Sequence, residues 1–498
     1  MKVLGLSCGY HDAAVSYIND SEILFASHSE RFSKHKHDAY IGNGILSQAL
    51  QHGLPDLIAY YEKPWLKKTR LMYAAQWDDF KSSPWTVKGA LQQYIPGLDP
   101  RLRKIPVVSF NHHLSHAAAG FQTSPFNSAV VLIIDAIGEW QTISAYEAHY
   151  TETGTAKYKL LFDKKYPHSL GLFYTAMTKH VGLKPLDEEY ILMGMAAYGK
   201  PIVYDEMCQD SWIDLDNIRA RYNHHIGTQV DYIKNTHPAD IAASAQSVLE
   251  EALRSVLFKL SSITKSRNLV YGGGVALNCL ANRFLGEYFP NVWIMPNPGD
   301  AGSSLGACAL AFGKKLNWTD AYLGADIPGA YPVDKALEIL LNEGIVGVAS
   351  GRAEFGPRAL GNRSLLADPR DKTIKDRVND IKHRQKYRPF APAILSEVAS
   401  EYFNFSPGWN SSPYMQSVAY CKSPSDFPAI CHHDGTSRVQ TVAKDCGSGL
   451  RQLLEAWYAK TGCPMLLNTS LNIRGEPMVN DLNDAQRFST MYNTKVVS

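Results

Sequence analysis

A strand-turn-strand pattern occurs twice in this chain and constrains its fold more than any other feature. Near the N-terminus the apolar run Val3–Leu6 leads into Gly9-Tyr-His-Asp12 and a second apolar stretch, Ala13–Ile18. More than a hundred residues later, Val130–Ile134 leads into Asp135-Ala-Ile-Gly138 and then Thr142–Tyr146. Each reads as a strand, a polar turn with glycine, and a returning strand. A duplication of this kind suits a fold with two similar halves around a cleft; two unrelated hairpins would give the same pattern.

The rest of the first three hundred residues alternates between the two element types. Leu269–Gly272 reads as a strand, Gly272–Gly274 as a turn, and the chain from there to about Phe289 as one helix. Val292–Met295 predicts a strand, Asn297–Gly302 a turn, and Ser303–Phe312 a helix. Strands alternating with helices place the chain in the α/β class. Between about 313 and 333 the pattern lapses into Asn, Gly, Asp and Pro. We therefore divide the chain into 1–325 and 334–498, a division that 498 residues allow.

The bulk properties exclude some functions. With 50 Lys+Arg against 48 Asp+Glu, the net charge of +2 is too mild for a dedicated nucleic-acid binder, although it is compatible with a nucleotide substrate. No apolar run approaches the ~20 residues of a membrane span, so no membrane association is expected. The eight cysteines include no C-x-x-C pair and no signal peptide precedes the first strand, which points to reduced thiols in a cytoplasmic protein.

Several residues carry candidate chemistry. His112 and His116 lie four apart in Asn111-His-His-Leu-Ser-His-Ala-Ala118, one face of a helix, where two imidazoles can grip a divalent transition metal. Asp135 and Asp300 follow apolar strands, where cleft residues gather in open α/β folds, and are the candidate carboxylate ligands. A set of two His and carboxylates favours Fe, Mn or Zn over Mg or Ca. His11 in the first turn is a candidate base toward an acceptor hydroxyl, or a turn histidine bonded to Asp12. The glycine triplet Gly272–Gly274 before a helix can set backbone amides against a phosphate or nucleoside, but it lacks a full Rossmann or P-loop pattern.

Cations in the second half sit in turn-rich sequence rather than along helix faces. They occur in Gly351–Ser364, Ile381–Pro392, His433–Gln440 and Asn468–Pro477. Arginine forks match phosphate oxygens in pairs and Lys adds a point charge, so loops like these can surround a polyphosphate.

With these residues in view, the whole chain resembles the O-carbamoyltransferases that decorate antibiotics such as tobramycin and cephamycin, and nodulation factors. The resemblance is carried by GRAEFGPRALGNRSLLADPR at 351–370, HHDGTSRVQTV at 432–442 and NTSLNIRGEPMV at 468–479. The first half adds CGYHDAAV, SERFSKHK, NHHLSHAAAGF, GEWQT, MGMAAYG and GGGVALN, all in family order. It implies an N-terminal actin-like (ASKHA) domain related to the tRNA threonylcarbamoyl transferase subunit, and a C-terminal YrdC-like domain. It also implies two chemical steps. Carbamoyl phosphate and ATP, the latter with Mg(2+), give carbamoyl-adenylate and pyrophosphate; the carbamoyl group then passes to a hydroxyl in the metal-bearing domain and AMP leaves.

Carried over residue by residue, His112, His116, Asp135 and Asp300 become the metal set, with Fe(2+) or another divalent transition metal. His11 becomes the base and Lys36 a contact to the intermediate. Gly273, Gly274 and Asn278 become nucleoside contacts. Arg352, Arg358, Arg363, Lys382, Arg384, Arg388, Arg438, Ser470 and Asn472 become the ATP and carbamoyl phosphate set, with Arg358 and Lys382 the catalytic pair.

The sequence departs from the family in three places. Gln385-Lys386 stands where the family usually has Glu-Pro, Leu471 replaces a usual Phe, and the chain stops at Ser498 where relatives often continue. The implied acceptor is a hydroxyl of a natural-product sugar or of a hydroxymethylated pyrimidine nucleotide; polymeric DNA draws little support from the net charge. A tRNA threonylcarbamoylating enzyme uses the same two fold types, but the order of domains and the GRAEFGPRALGNRS stretch argue against it. A nucleotide sensor or scaffold would leave the cationic loops idle.

Overall fold

The repeated hairpin opens each of two sheets of identical topology. The computed structural model describes residues 1–385, 388 and 390–498. In the first half, strands β1 (Lys2–Ser7), β2 (Ala14–Asn19), β3 (Glu22–His28), β4 (Leu57–Tyr60) and β5 (Val107–Ser109) form one sheet in the order β3-β2-β1-β4-β5. In the second half come β6 (Ser128–Gly138), β7 (Gln141–Tyr150) and β8 (Ala156–Lys165), then a small hairpin of β9 (Trp212–Asp214) and β10 (Arg219–Ala220), then β11 (Asn268–Gly272) and β12 (Asn291–Trp293). Their sheet runs β12-β11-β6-β7-β8. In both sheets the first three strands are antiparallel and the last two join in parallel. The echo is thus a structural duplication.

Each half has its own core. One is built on Val3, Leu4, Leu6 and Val15, the other on Val130, Leu132 and Ile134. Ala129–Ile134 is buried on both faces, which explains its unbroken apolar run. Between the sheets the helix His112–Phe121 crosses the helix Ser303–Phe312. At the crossing a Cβ on Gly306 would run into the Ser115 carbonyl, so only glycine lets the two backbones approach this closely. That approach sets His112 and His116 beside the turn that carries Asp300.

The expected helix from 275 to 289 is instead three short turns, Gly274–Leu277, Cys279–Asn282 and Leu285–Tyr288. The side chain of Asn278 accepts the Ala281 N–H and recaps the chain midway. Farther on, Gly286 lies against the Pro407 carbonyl with no room for a side chain.

The last third has a separate core that includes Val346, Leu366, Ile394 and Leu466. Its strands are β14 (Ile345–Ala349), β16 (Arg363–Ala367), β17 (Ala391–Leu395), β21 (Gln440–Val442), β22 (Met465–Ser470) and β23 (Val496–Val497), in the order β21-β17-β22-β16-β14-β23. A small sheet of β18 (Phe403–Phe405), β19 (Ala419–Cys421) and β20 (Thr436–Ser437) lies apart. The stretch 313–333, read above as a lapse in pattern, contains strand β13 (Tyr322–Ile327), which pairs antiparallel with β15 (Gly351–Glu354). The fold is therefore mixed α/β throughout. No helix among the described residues is long and apolar enough to cross a membrane.

Candidate functional site

His112 and His116 project from one face of their helix with Nε2 atoms 3.0 Å apart. Asp135, late in β6, and Asp300, at the head of the turn Asp300–Gly302, close on them. His112 Nε2 lies 3.3 Å from Asp135 Oδ2 and 3.3 Å from Asp300 Oδ1, and His116 Nε2 lies 3.6 and 3.3 Å from the same atoms. All four side chains are buried, and their donor atoms fall within 4.8 Å of one another. A transition metal about 2.1 Å from each donor requires ligand-to-ligand edges of about 3.0–3.4 Å, close to what this cluster presents. The other nitrogen of His112 has no hydrogen-bond partner and faces Glu62 Oε2 at 3.8 Å. A carboxylate behind a ligating imidazole is the usual orienting partner in metal sites. The residues therefore fit a divalent transition metal.

The glycine turn serves this cluster. Gly274 N–H donates to Asp135 Oδ1 at 3.1 Å. Gly273 adopts φ 88°, and a Cβ there would run into the Ile134 carbonyl. Asn278, the expected nucleoside contact, exchanges hydrogen bonds with Gln246 at 3.0 and 3.1 Å and accepts the Ala281 N–H.

His11 heads a hydrogen-bonded chain. Its Nδ1 is 2.9 Å from Asp12, the other Asp12 oxygen is 2.7 Å from His37 Nδ1, and His37 Nε2 is 2.8 Å from Asp187, which also pairs with Lys36 at 2.8 Å. Asp12 and His37 both hold left-handed backbone, φ 55° each. Burial opposes charge on His11, but its bond to Asp12 prevails and lifts its pKa to about 9. Lys36, expected to touch the intermediate, also lies 5.7 Å from the centre of the Tyr190 ring.

Burial likewise opposes charge on His37, and its bonds to Asp12 and Asp187 lift its pKa to about 10. A raised histidine stabilises the fold fully below its unfolded value of about 6.5, and that contribution is lost as pH climbs through about 10. The wild type is therefore expected to lose thermal stability between pH 7 and 10 more steeply than His37→Gln. Parallel melting curves for the two proteins would remove His37 from this role.

In the second domain, Arg358 reaches the Leu277 carbonyl of the first domain at 3.5 Å. Burial, with Arg438 and Arg388 close by, pushes its pKa down to about 9. Arg388 stacks 4.8 Å from the Tyr190 ring centre, and Arg384 lies 4.0 Å from that of Phe390. Lys382 donates to Ser470 Oγ at 3.2 Å, to Asn472 Oδ1 at 3.0 Å and to the Asn472 carbonyl at 2.8 Å. Its pKa is held down by burial, then by Arg384 and Arg388. Seven of the nine expected residues thus gather in one region. The departure at Lys386 lies outside the described residues.

Arg352 and Arg363 do not join them. Arg352 donates to the Leu24 and Leu323 carbonyls, both at 2.6 Å, and ties β3 to β13. Arg363 is fully buried, with its fork on the carbonyls of Ser350, Gly351, Asn362, Ala325 and Asn480. Arg363 is an internal pin whose donors are spent on main chain, and Arg352 is tied to main chain through Nη2. Arg363→Met is expected to cost about 3 kcal/mol or more, because the abandoned carbonyls stay buried. Chemical denaturation measures this; an unchanged midpoint with a raised KM for ATP would return the residue to a nucleotide role.

Glu62, Glu139, Asp187 and Tyr190 escaped the sequence reading. Glu62 follows the apolar strand β4 as Asp135 follows the apolar start of β6, so the same rule would have found it. Glu139 is raised to about 7 by burial, although it accepts the Lys63 N–H at 2.6 Å. Asp187 lies in a turn with no periodic signal, and Tyr190 stands in the first turn of the short helix Glu189–Met195.

A buried cluster of candidate metal ligands in the first half and a cationic cluster in the second give the chain two sites of polar chemistry. The family model for the carbamoyltransferase N-terminus matches residues 2–309, and that for the carbamoyltransferase C-terminus matches residues 337–497. The chain belongs to the carbamoyltransferase family and is a carbamoyltransferase. It is 33% identical to the uncharacterized protein sll1178 of Synechocystis, over 97% of this chain and 93% of that protein. It is 32% identical to the nodulation protein NolNO of Sinorhizobium fredii, over 95% of this chain and 76% of that one. Among solved structures, component A of the Acidaminococcus fermentans (R)-2-hydroxyglutaryl-CoA dehydratase matches at 15% identity and TM-score 0.35, over 63% of this chain and 98% of that one.

Proposed function

We propose that this carbamoyltransferase transfers its group to a hydroxyl in two steps, one in each domain. In the second, YrdC-like domain, carbamoyl phosphate, water and ATP with Mg(2+) give carbamoyl-adenylate, pyrophosphate and inorganic phosphate. Arg358, Arg384, Arg388 and Arg438 neutralise the polyphosphate, and Lys382 with Ser470 and Asn472 shapes the carbamoyl phosphate end. In the first, actin-like domain, an acceptor hydroxyl attacks the carbamoyl carbon, the bond to the adenylate oxygen breaks, and AMP leaves. A divalent transition metal held by His112, His116, Asp135 and Asp300 would supply Lewis acidity toward the oxygens there. The duplicated sheets support the actin-like reading.

The observation that carries the proposal is the cationic cluster set against the metal-bearing domain, with Arg358 on the Leu277 carbonyl and Arg388 on Tyr190. Two sites on facing surfaces give a reactive adenylate a path shielded from water. His11 takes the hydroxyl proton. With its pKa lifted to about 9 it is largely protonated at neutral pH, so transfer should quicken as pH rises toward that value.

The test supplies metal-loaded protein with ATP and carbamoyl phosphate, alone and with hydroxyl-bearing acceptors. Pyrophosphate exchange without acceptor, and AMP release on adding one, are expected. No AMP with any acceptor, together with no exchange, would overturn the proposal.

A further inference from the structure

Arg352 belongs to the signature stretch yet stands apart from the cationic cluster, and it lines a cavity of about 350 Å³. Small-molecule sites span about 300–1,000 Å³, so the space suits a compact ligand. The cavity lies where β3 meets β13 and β15, with Ile23, Leu323, Tyr322 and Tyr331 in its walls. Both phenols are spent, Tyr322 on the Leu360 carbonyl at 2.9 Å and Tyr331 on the Gly361 carbonyl at 3.0 Å. The groups left over for a ligand come from three other places.

Two of them carry opposite charge. Arg352 spends Nη2 on the Leu24 and Leu323 carbonyls, which leaves Nε and Nη1 without a partner among the described residues. Asp320, also on the cavity wall, accepts the Tyr322 N–H through Oδ1 at 2.7 Å and keeps Oδ2 unbonded among the described residues. Burial holds the Arg352 pKa below its ordinary value, and Asp320 is the foremost carboxylate acting against that. The two are near enough to feel each other, yet no ion pair joins them among the described residues.

The third is the head of the helix Leu450–Thr461, twelve residues that begin at Gly449 without a side-chain cap. Gly447, Ser448 and Gly449 line the cavity, and their N–H groups find no acceptor among the described residues. Consecutive free amides at a helix head attract an anion. Ser350 points independently to a bound group. It is only 2% exposed and lines the cavity, and its main chain is spent on the Asn362 carbonyl and the Arg363 guanidinium. Its hydroxyl has no partner among the described residues, a costly state for a buried polar group unless a ligand completes it.

A simple anion here would face Asp320, and a simple cation would face Arg352. We infer that the cavity binds a small zwitterion, an α-amino acid, with its carboxylate on Arg352, Ser350 and the amides of Gly447–Gly449 and its ammonium on Asp320. The site stands at the root of the loop that carries Arg358. Asn362 Nδ2 donates to the Arg352 carbonyl at 2.8 Å, and Ser448 Oγ donates to Asn362 Oδ1 at 2.6 Å. The N–H groups of Leu360 and Asn362 donate to Glu354 Oε1 at 2.8 and 2.9 Å. An occupant held by Arg352 and by the residues around Ser448 therefore steadies both flanks of that loop. Its link to the adenylate step rests on the two-step reading above; the binding itself does not.

The test titrates the full chain by calorimetry with each of the twenty protein amino acids and with inorganic phosphate. Saturable binding of at least one amino acid, tighter than phosphate, is expected. Asp320→Asn keeps an acceptor for the Tyr322 N–H and removes only the charge. It should weaken amino-acid binding about ten-fold or more and strengthen that of phosphate. Ser350→Ala should weaken it by a smaller factor, about five-fold. No saturable amino-acid binding, phosphate preferred by the wild type, or undiminished binding in Asp320→Asn would overturn the site. Hydrogen exchange reads the link to the Arg358 loop without catalysis: the bound amino acid should slow exchange of the Leu360 and Asn362 amides, and unchanged rates would overturn that link. Absent pyrophosphate exchange alongside intact, Asp320-dependent binding sinks the two-step chemistry alone.

Discussion

Arg358→Ala is expected to lower carbamoyl-dependent ATP–pyrophosphate exchange by about 10²–10³-fold, the range for losing one preorganised charge donor in a buried site. The side chain is half-buried, and desolvation with Arg438 and Arg388 close by depresses its pKa to about 9. Three guanidinium groups repel one another, so their convergence is favourable when a polyanion lies among them, and removing one takes a charge from the leaving pyrophosphate. Arg358→Lys should recover only part of the rate, because a point charge cannot make the paired contact of a planar fork. The same residue touches the Leu277 carbonyl at 3.5 Å, so a purely structural role is the rival account. Full exchange activity in a variant of lowered thermal stability would establish that rival.

His116→Ala is expected to lower affinity for a divalent transition metal by more than about 100-fold and to abolish transfer. Loss of an outer-shell partner alone typically costs about 10–100-fold, and a direct ligand contributes more. The substitution also leaves Asp135 and Asp300 facing His112 alone, so the fold itself will weaken. Glu62→Gln keeps the four donors and alters only the carboxylate 3.8 Å behind His112. It should fold, bind metal about 10–100-fold less tightly, and transfer more slowly. Metal content and pyrophosphate exchange measured on both variants separate the sites: exchange should survive loss of metal, since the ligands lie in the other domain. Metal retention in His116→Ala would remove the cluster from consideration.

Much of the fold was legible because its signals are local. The two hairpins announced the duplicated sheets, since strand, glycine turn and strand are set by neighbours in sequence. One helix was misread. From 274 to 289 the apolar pattern persists, but the recapping amide of Asn278 and the contact of Gly286 with Pro407 break it, and the second of these comes from 121 residues away.

Residue types alone did not separate functional cations from structural ones. Arg352 and Arg363 stand in the same motif as Arg358, and all three look suited to phosphate. Only packing shows that Arg363 faces carbonyls as far away as Asn480, whereas Arg358 turns toward the Leu277 carbonyl of the first domain.

By itself the sequence determined what repeats or lies within one turn of helix: the paired strands, the His112 and His116 face, and the signature loops that name the family. Tertiary structure decided that Asp135 and Asp300, candidates from their places after apolar strands, close on those histidines, that Glu62 stands behind them, and that Lys382 meets Ser470 and Asn472. The physical reason is range. Helix and strand periods are fixed by backbone geometry over a few residues, whereas a ligand set is closed by side chains whose distance in sequence says nothing about their distance in space.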